Sequence, residues 1–399
     1  MTKNRTGNNQ FLKAYNEAGI LDLIRTRKAL SRADLSKATG LSPTATGAIV
    51  SALMDKGYIH EIGTGESKGG RKPVLLELKP NSCYSVGLDV EIDCISYALT
   101  DISGRVVHEG TTALDVNTPE AVTSSAAKYI NEMVEARSIR RENLLGIGIS
   151  VPGMVDATTH KVLLAPNLGW EDVDLSSMLK DKLNLPAYIE NEAMASAICE
   201  NWVGACQGVS NFVCVNIRSG IGAGIFTGGK LYRGAGGSAG EVGHIVVDEN
   251  GPRCGCGNYG CLEAIASTGR IVEKARRLVR QGVVSSLNDI ADADSIQFHH
   301  VVAAARNGDE TAKSLLNETA RFLGIALSNL VNTLNPSKIV LGKDFVKYGD
   351  LVMDMLRSVI DCKALKRPAA NVEISVSGIG EKSSTLGAAF IPLKILFGK

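Results

Sequence analysis

The sequence predicts an α/β protein of two parts, a small N-terminal module over residues 1–80 and a larger body over residues 81–399. The module holds 13 lysines and arginines against 7 acidic residues, whereas the body holds 30 basic and 35 acidic residues. Apolar residues follow a helical spacing in the module, and from about residue 83 strand and helix patterns alternate. A basic module on a mildly acidic body favours a polyanionic partner for the module alone.

Composition narrows the class of protein. The chain has 399 residues, of which 44% are hydrophobic, enough for two or three domains around a large core. No apolar run reaches the roughly 20 residues that span a bilayer, and the stretch Met1–Arg5 lacks the apolar segment of a signal peptide. The 9 cysteines fit a reducing compartment better than a disulfide scaffold. We therefore expect a cytoplasmic protein with no membrane partner.

The N-terminal module shows the pattern of a helix-turn-helix. Residues 8–27 carry apolar side chains at helical spacing, and Ser31 can cap a second helix whose first turn contains Asp34. Gly40 marks a turn, and Ser42 followed by Pro43 is typical of a helix start. Two helices joined by a short glycine-containing turn are the DNA-binding helix-turn-helix plan.

Two short strands complete the module as a winged helix-turn-helix. Residues 58–62 and 74–78 predict a hairpin around the loop 63–73. We expect DNA contacts from the start of the recognition helix and from this wing, where basic side chains suit phosphates or the minor groove. The expected contacts are Ser42, Thr44, Ala45, Thr46, Arg71 and Lys72. A protein-interaction module is the alternative, which the basic charge and the wing disfavour.

The symmetry of helix-turn-helix proteins suggests the assembly. Dimers of this class match their two-fold axis to a two-fold operator, with half-sites about one DNA turn, or a multiple of it, apart. We therefore expect a homodimer or a dimer of dimers on operator DNA with an inverted repeat.

Three cysteines in the body stand in a C-x-C-x4-C spacing, at Cys254, Cys256 and Cys261, with His244 ten positions upstream of the first. Three thiolates and one imidazole close a tetrahedral Zn²⁺ site and leave no position for a catalytic water. A chance trio or a redox trio is the alternative, but the surrounding glycines allow the sharp loop that a metal site needs. The spacing predicts a structural zinc.

This cysteine run, together with the segment 240–244, resembles the zinc signature of the ROK family, which contains bacterial sugar kinases and related transcriptional repressors. The resemblance covers residues 83–399 and implies a two-lobed, actin-like ATPase fold with a ligand cleft between the lobes. The implied lobes are approximately 81–194 plus the C-terminal helix, and 195–378. It also implies that His244 holds zinc with one ring nitrogen and faces a sugar with the other, while Glu241 and Glu263 bind sugar hydroxyls.

Two further segments resemble the sugar-binding loops of that family. Residues 165–170 are similar to its Pro-Asn-Leu loop, which implies a sugar contact from Asn167. Residues 190–193 are similar to its Glu-Asn-Asp-Ala motif, which implies contacts from Asn191 and Glu192. Glu192 stands where the kinases have the aspartate that acts as general base, and it is one methylene longer, a displacement that can cost about a hundredfold in rate.

The phosphate-binding loops of the kinases are altered in this chain. The Asp-x-Gly-Gly-Thr loop corresponds to Asp89–Asp93, so Glu91 and Ile92 fill both glycine positions. Arg218 and Lys343 replace glycines of the second phosphate loop and of the adenosine loop. Bare glycine backbone is what lets phosphates approach, and the carboxylates of Glu91 and Asp93 would repel them. We therefore expect no ATP-dependent phosphotransfer and no catalytic residue.

These observations predict a DNA-binding transcriptional repressor of sugar-utilisation genes, with a sugar as inducer in a kinase-derived cleft. The Glu-Asn-Glu-Ala motif, the filled phosphate loop and residues 231–234 most resemble the xylose-operon repressor subgroup, which implies xylose or another aldose. The alternatives are an active sugar kinase with an appended DNA-binding domain, and a repressor controlled by a protein partner.

Overall fold

A computed structural model describes residues 9–65, 72–290 and 292–398. The N-terminal module contains three helices and a small antiparallel sheet of order β1-β3-β2. Its elements are α1 (Asn9–Arg27), β1 (Leu30–Ser31), α2 (Arg32–Thr39), α3 (Pro43–Asp55), β2 (Ile59–Thr64) and β3 (Val74–Leu78). The predicted helix-turn-helix and the β2–β3 hairpin are thereby confirmed, while the wing residue Arg71 lies outside the described residues.

Local capping chemistry fixes both helices of the motif. Ser31 and Asp34 form a reciprocal capping box at the start of α2, and Gly40 ends that helix with a left-handed φ of 71°. Ser42 caps α3 by accepting a hydrogen bond from the backbone N–H of Ala45 at 3.2 Å, and Pro43 occupies the first helical position. Each cap satisfies a backbone donor that the helix itself leaves unpaired.

The first half of the body is built on a five-stranded sheet of order β11-β7-β4-β5-β6, here called the first sheet. β7 runs parallel to β4 and β11, whereas β5 and β6 continue antiparallel from β4. The elements are β4 (Tyr84–Val90), β5 (Cys94–Asp101), β6 (Val106–Ala113), α4 (Pro119–Ala136), β7 (Leu144–Val151), β8 (Met154–Asp156), β9 (Lys161–Ala165), β10 (Trp170–Val173), α5 (Leu175–Leu183) and β11 (Ala187–Asn191). β8, β9 and β10 form a separate small antiparallel sheet.

The second half repeats this plan in a second sheet of order β14-β13-β12-β15-β16. β12 runs parallel to β15 and antiparallel to β13. The elements are α6 (Glu192–Trp202), β12 (Phe212–Ile217), β13 (Ile221–Thr227), β14 (Lys230–Tyr232), α7 (Leu262–Ala266), α8 (Thr268–Arg280), α9 (Phe298–Arg306), α10 (Glu310–Leu334), β15 (Lys338–Lys343), α11 (Gly349–Lys363), α12 (Lys366–Asn371), β16 (Glu373–Val376) and α13 (Ser383–Leu396). Two halves with matching sheets are what the two-lobed, actin-like fold requires.

Helices α6 and α13 pack against each other at the centre of the body. Glycines make the close approach possible: a Cβ on Gly148 of β7 would stand 1.9 Å from the Ala388 carbonyl oxygen of α13. A Cβ on Gly224 of β13 would stand 2.5 Å from the Ala193 oxygen of α6. The two helices therefore contact one strand of each sheet with almost no intervening side chain.

The N-terminal module packs on the C-terminal ends of these same two helices. Leu21 and Ile24 of α1 belong to one buried cluster with Trp202 of α6 and Phe390 of α13. The guanidinium of Arg25 lies 4.0 Å from the centre of the Trp202 ring, a cation–π contact. Among the described residues, no helix is both long and apolar enough to cross a membrane.

Candidate functional site

The predicted metal ligands come together. The ligand atoms of His244, Cys254, Cys256 and Cys261 all lie within 4.8 Å of one another. Cys254 Sγ is 3.7 Å from His244 Nδ1, and Cys256 Sγ is 3.7 Å from Cys261 Sγ. Zn–S bonds of about 2.3 Å at tetrahedral angles place sulfurs roughly 3.8 Å apart, so the donor set fits Zn²⁺ in both chemistry and spacing. With Nδ1 directed at the sulfurs, Nε2 is the ring nitrogen left for another partner.

Two of the predicted sugar contacts, Glu263 and Glu241, lie near the first residues of β13. Glu263, on α7, accepts a hydrogen bond from the Ile221 backbone N–H at 2.9 Å. Its Cβ lies against Gly243, where an added Cβ would stand 3.3 Å away, and this places Glu263 beside His244. A carboxylate offers about four acceptor sites, so Glu263 retains capacity for a ligand hydroxyl.

Glu241 reaches the same strand through its neighbour Gly240. Ala223 of β13 donates its N–H to the Gly240 carbonyl at 2.8 Å, and an added Cβ on Gly240 would stand 1.8 Å from the Ala223 oxygen. Only glycine fits there, with a φ of 95°. This contact fixes the backbone next to Glu241 on β13, and Glu241 itself is exposed.

Asn191 and Glu192 lie at the start of α6, which packs on β13. Asn191 caps α6, because its Oδ1 accepts from the N–H groups of Ala193 and Met194 at 2.9 and 3.2 Å. Its Nδ2 donates to the Gly153 carbonyl at 2.8 Å, so one amide hydrogen is left to donate to a ligand. Glu192 begins α6, whose first turn packs on Gly222.

Asn167 lies in the exposed turn between β9 and β10. That turn follows Ala165, which packs against Gly153, the residue whose carbonyl holds Asn191. Of the six predicted sugar residues, Glu241, His244 and Glu263 thus lie near β13, and Glu192 begins the helix that packs on it. Asn191 caps that helix, and Asn167 follows the end of β9 that packs on Gly153.

A buried lysine stands at the end of β15. Lys343, 1% exposed, places Nζ 3.1 Å from Asp89 Oδ2, 3.3 Å from Glu192 Oε1 and 2.6 Å from Ser384 Oγ. Burial alone would lower the pKa of Lys343, but Asp89 and Glu192 outweigh it and hold that pKa above its ordinary value. Burial raises the pKa of Glu192, and Lys343 opposes that rise.

The backbone of Lys343 has an unusual conformation. Its φ of 55° and ψ of −131° belong to a region that side chains rarely adopt, at a cost of about 1–3 kcal/mol. Sequence reasoning named Lys343 only as a lost glycine; its contacts with Asp89 and Ser384 were not predicted.

Glu91, one of the two carboxylates of the predicted electrostatic barrier to phosphate, has a cationic partner in the structure. Glu91 forms an ion pair and a hydrogen bond with Arg218 across the cleft, so its charge is neutralised internally. The repulsion expected of Glu91 and Asp93 toward phosphate stays a prediction. Asp89, Glu91 and Arg218 line part of a cavity of about 690 Å³.

The sequence did not predict a further ion pair, which joins the two halves of the body. Arg233, after β14, forms a bidentate pair with the buried Glu190 of β11, with nitrogen–oxygen distances of 2.7 and 2.5 Å. This pair ties the segment leading to Glu241 to the strand that ends in Asn191. The signal in the sequence for this pair is Glu190, the acidic residue directly before Asn191 and Glu192.

The start of α3 provides the candidate DNA-binding surface. Ser42 and Thr44 are exposed, and Ala45 is partly exposed. Thr46, in contrast, is 0% exposed, because it lies on the same helical face as Ile49, Val50 and Leu53. The structure removes Thr46 from the expected DNA contacts, since its side chain faces the core of the module.

In the wing, Lys72 is exposed next to β3. Arg71, its predicted companion, lies outside the described residues, so its expected contact with DNA stays a prediction.

Comparisons with known proteins agree with this architecture. A sequence model of the ROK family matches residues 85–394, and one of winged helix-turn-helix DNA-binding domains matches residues 15–60. A xylose repressor of Caldicellulosiruptor bescii is 35% identical over 382 residues, which cover 96% of each chain.

Solved structures show the same relationship. A ROK-family transcriptional regulator, described as a homologue of the E. coli MLC protein, superposes with a TM-score of 0.86 at 28% identity over 97% of both chains. A ROK-family glucokinase from Streptomyces griseus, in complex with glucose and AMPPNP, gives a TM-score of 0.68 at 30% identity over 77% of this chain and 98% of its own. With its matched domain, its full-length relative and its two-sheet body, the chain belongs to the ROK family and carries an N-terminal winged helix-turn-helix.

Proposed function

We propose that this protein is a sugar-responsive, DNA-binding transcriptional repressor of sugar-utilisation genes whose kinase-derived cleft binds an inducer without phosphorylating it. The observation that carries the proposal is a pairing of two sites in one chain. The start of α3 presents Ser42 and Thr44 to solvent, while Glu192, at the kinase base position, is ion-paired with Lys343. A DNA-reading surface is thus combined with a cleft that holds hydrogen-bonding groups for a sugar.

The inducer contacts come from both sides of β13. Asn167, Asn191 and Glu192 would bind from the first half of the body, and Glu241, His244 and Glu263 from the second. Carboxylates and amides at the rim of a polar cleft suit a polyhydroxylated ligand, and the relative from Caldicellulosiruptor bescii is named a xylose repressor. Xylose or another aldose is the inducer we propose.

Loss of phosphotransfer is the second part of the proposal. The ammonium of Lys343 lies 3.3 Å from the Glu192 carboxylate that would accept a proton, and Arg218 is paired with Glu91 of the segment that resembles the first phosphate loop. A general base needs a free oxygen at the attacked hydroxyl, and Oε1 of Glu192 is engaged by the Lys343 ammonium.

We also propose a structural zinc held by His244, Cys254, Cys256 and Cys261. When bound, the metal would fix the ring orientation of His244 and the loop that leads to Glu263. Nε2 of His244 would then donate a hydrogen bond to the sugar.

Helices α6 and α13 provide a direct connection from inducer to DNA. α6 begins at Glu192 and ends at Trp202, under Arg25 of α1. α13 begins near Ser384, beside Lys343, and carries Phe390, which stacks on Trp202 at 5.7 Å. A ligand that favours a closed cleft would move the helix-turn-helix only through its higher affinity for that state. A coupling of about 1–3 kcal/mol changes operator affinity roughly 5- to 150-fold.

The partner in this switch is operator DNA with an inverted repeat, bound by a homodimer or a dimer of dimers. Each protomer would place α3 in one major groove and Lys72, with Arg71, near the backbone or minor groove.

A two-step experiment tests the proposal. A thermal-shift screen of pentoses, hexoses and amino sugars identifies ligands, and operator titration with each hit measures the response. We expect at least one aldose to bind and to weaken operator affinity. Glu192→Gln should abolish that response and keep operator affinity, whereas Glu120→Gln, on the exposed surface of α4, should change neither. A cleft-binding sugar that leaves operator affinity unchanged would contradict the inducer assignment.

A further inference from the structure

The lysine at the end of β15 connects four elements of the body. Lys343 belongs to the second sheet, and its partner Asp89 lies on the central strand β4 of the first sheet. Its other partners, Glu192 and Ser384, stand in the first turns of α6 and α13. One ammonium therefore joins both sheets and the N-terminal ends of both central helices.

We propose that Lys343 is a positioning residue of the inducer site, whose buried ammonium bridges the two sheets and holds Glu192 as an ionised hydrogen-bond acceptor for the sugar. The proposal rests on the proposed function, in which Glu192 contacts the inducer. In this proposal, a side chain of the protein itself bridges the two halves of the body.

Two features argue that this ammonium is more than a structural ion pair. Lys343 keeps a strained φ of 55° and is 1% exposed, so the chain accepts both backbone strain and the burial of a charge at one residue. Replacing a buried ion pair by apolar side chains is often neutral or stabilising, so stability alone does not account for such a residue. Strain of this kind concentrates at functional sites.

The geometry also explains why Glu192 needs this partner. The Ser384 hydroxyl donates a hydrogen bond to the Asp89 carboxylate, and Lys343 lies between that carboxylate and Glu192. Without the ammonium, two acidic groups would face each other in a buried region, which favours protonation of one of them.

The charged groups facing Glu192 set the expected pH response. Burial raises the pKa of Glu192, Lys343 lowers it, Asp89 raises it, and Arg218 of the second sheet lowers it. Removing Lys343 takes away the largest opposing influence, so the pKa of Glu192 rises further. If the sugar requires the ionised carboxylate of Glu192, lowering the pH should abolish sugar binding at a higher pH in a variant without Lys343 than in the wild type.

The test compares Lys343→Met with the wild type in the full chain, using D-xylose and D-glucose as probes in calorimetric titrations across a range of pH. We expect the variant to bind the responsive sugar at least about tenfold more weakly near neutral pH, with affinity recovering as the pH rises. Adding Asp89→Asn to Lys343→Met should restore the charge balance and move the pH profile back toward that of the wild type.

Lys338→Met is the matched control. Lys338 lies at the opposite end of the same strand and pairs with Glu373 of β16 at 2.8 Å, entirely within the second sheet. We expect this variant to keep the sugar affinity and the pH profile of the wild type.

The outcomes separate the inference from the proposed function. A wild type that responds to neither probe nor to any sugar of the screen would overturn the proposed function. A responsive wild type together with an unchanged affinity and pH profile in Lys343→Met would overturn the role of Lys343. If Lys343→Met loses its operator affinity and its far-UV circular dichroism, Ser384→Ala replaces it. That variant removes one acceptor from the ammonium and should shift the profile in the same direction by less, and an unshifted profile would overturn the inference.

Discussion

Thr46 of the recognition helix offers a test that distinguishes a core residue from a DNA contact. Its side chain is 0% exposed, and its hydroxyl has no hydrogen-bond partner among the described residues. We expect Thr46→Val to stabilise α3 and to leave operator affinity unchanged. Valine has almost the same shape, so the substitution replaces a buried hydroxyl by a methyl group without opening a cavity.

The magnitude follows from the burial of that hydroxyl. Mutational data place the burial of an unpaired polar group at about 1–3 kcal/mol. Threonine and valine have nearly equal helix propensities, so the backbone contributes little to the difference. The free energy of opening of α3 should therefore rise by about 1–2 kcal/mol, which corresponds to amide exchange about 5- to 30-fold slower.

Native-state hydrogen exchange of peptides from α3 measures this effect, and fluorescence anisotropy with an operator duplex measures DNA affinity. Thr44→Val is the matched control, because Thr44 lies two residues before Thr46 in the same helix and is exposed. It should leave the exchange rate unchanged and weaken operator binding. Unchanged exchange in Thr46→Val combined with a tenfold loss of operator affinity would refute the reasoning, since it would place the hydroxyl on DNA.

Three further predictions concern chemistry, metal and wing. Coupled assays with ATP over aldoses and N-acetylated hexosamines should show no turnover, and a kcat of about 1 per second or more would contradict the loss of phosphotransfer. Protein purified without chelators should contain one zinc per chain, and Cys254→Ala should lower that content and weaken the sugar response; a zinc-free wild type would exclude the metal assignment. Changing Arg71 and Lys72 together to alanine should weaken operator binding and reduce its salt slope by up to roughly two units, whereas unchanged binding would remove the wing from the interface.

Local chemistry explains which parts of the fold the sequence could predict. Ser31 and Ser42 are short side chains placed directly before helical patterns, and both form the predicted caps. The alternation of strand and helix patterns expected from about residue 83 is also found, and its strands include the fully buried β12. The cysteine spacing likewise brought the four proposed metal ligands together, since a short glycine-containing loop limits where the sulfurs can lie.

The recognition helix shows where a local pattern was read incompletely. Thr46 shares a helical face with Ile49, Val50 and Leu53, at intervals of three, four and seven residues. The place of Thr46 near the start of the recognition helix suggested that it contacts DNA, but the periodicity of the helix places its side chain inside the module.

The phosphate region shows what sequence alone could not supply. Residue types at Glu91, Arg218 and Lys343 revealed that glycines were replaced, and charge counting then suggested repulsion between carboxylates and phosphate. The pairing of these charges depends on residues 127 positions apart in the case of Arg218 and Glu91, and 254 positions apart in the case of Lys343 and Asp89. Such pairs are set by how the two sheets close on each other, which no local pattern encodes. Both pairs join the two halves of the body through cations, Arg218 and Lys343, at positions where the resemblance to the kinases implies glycine.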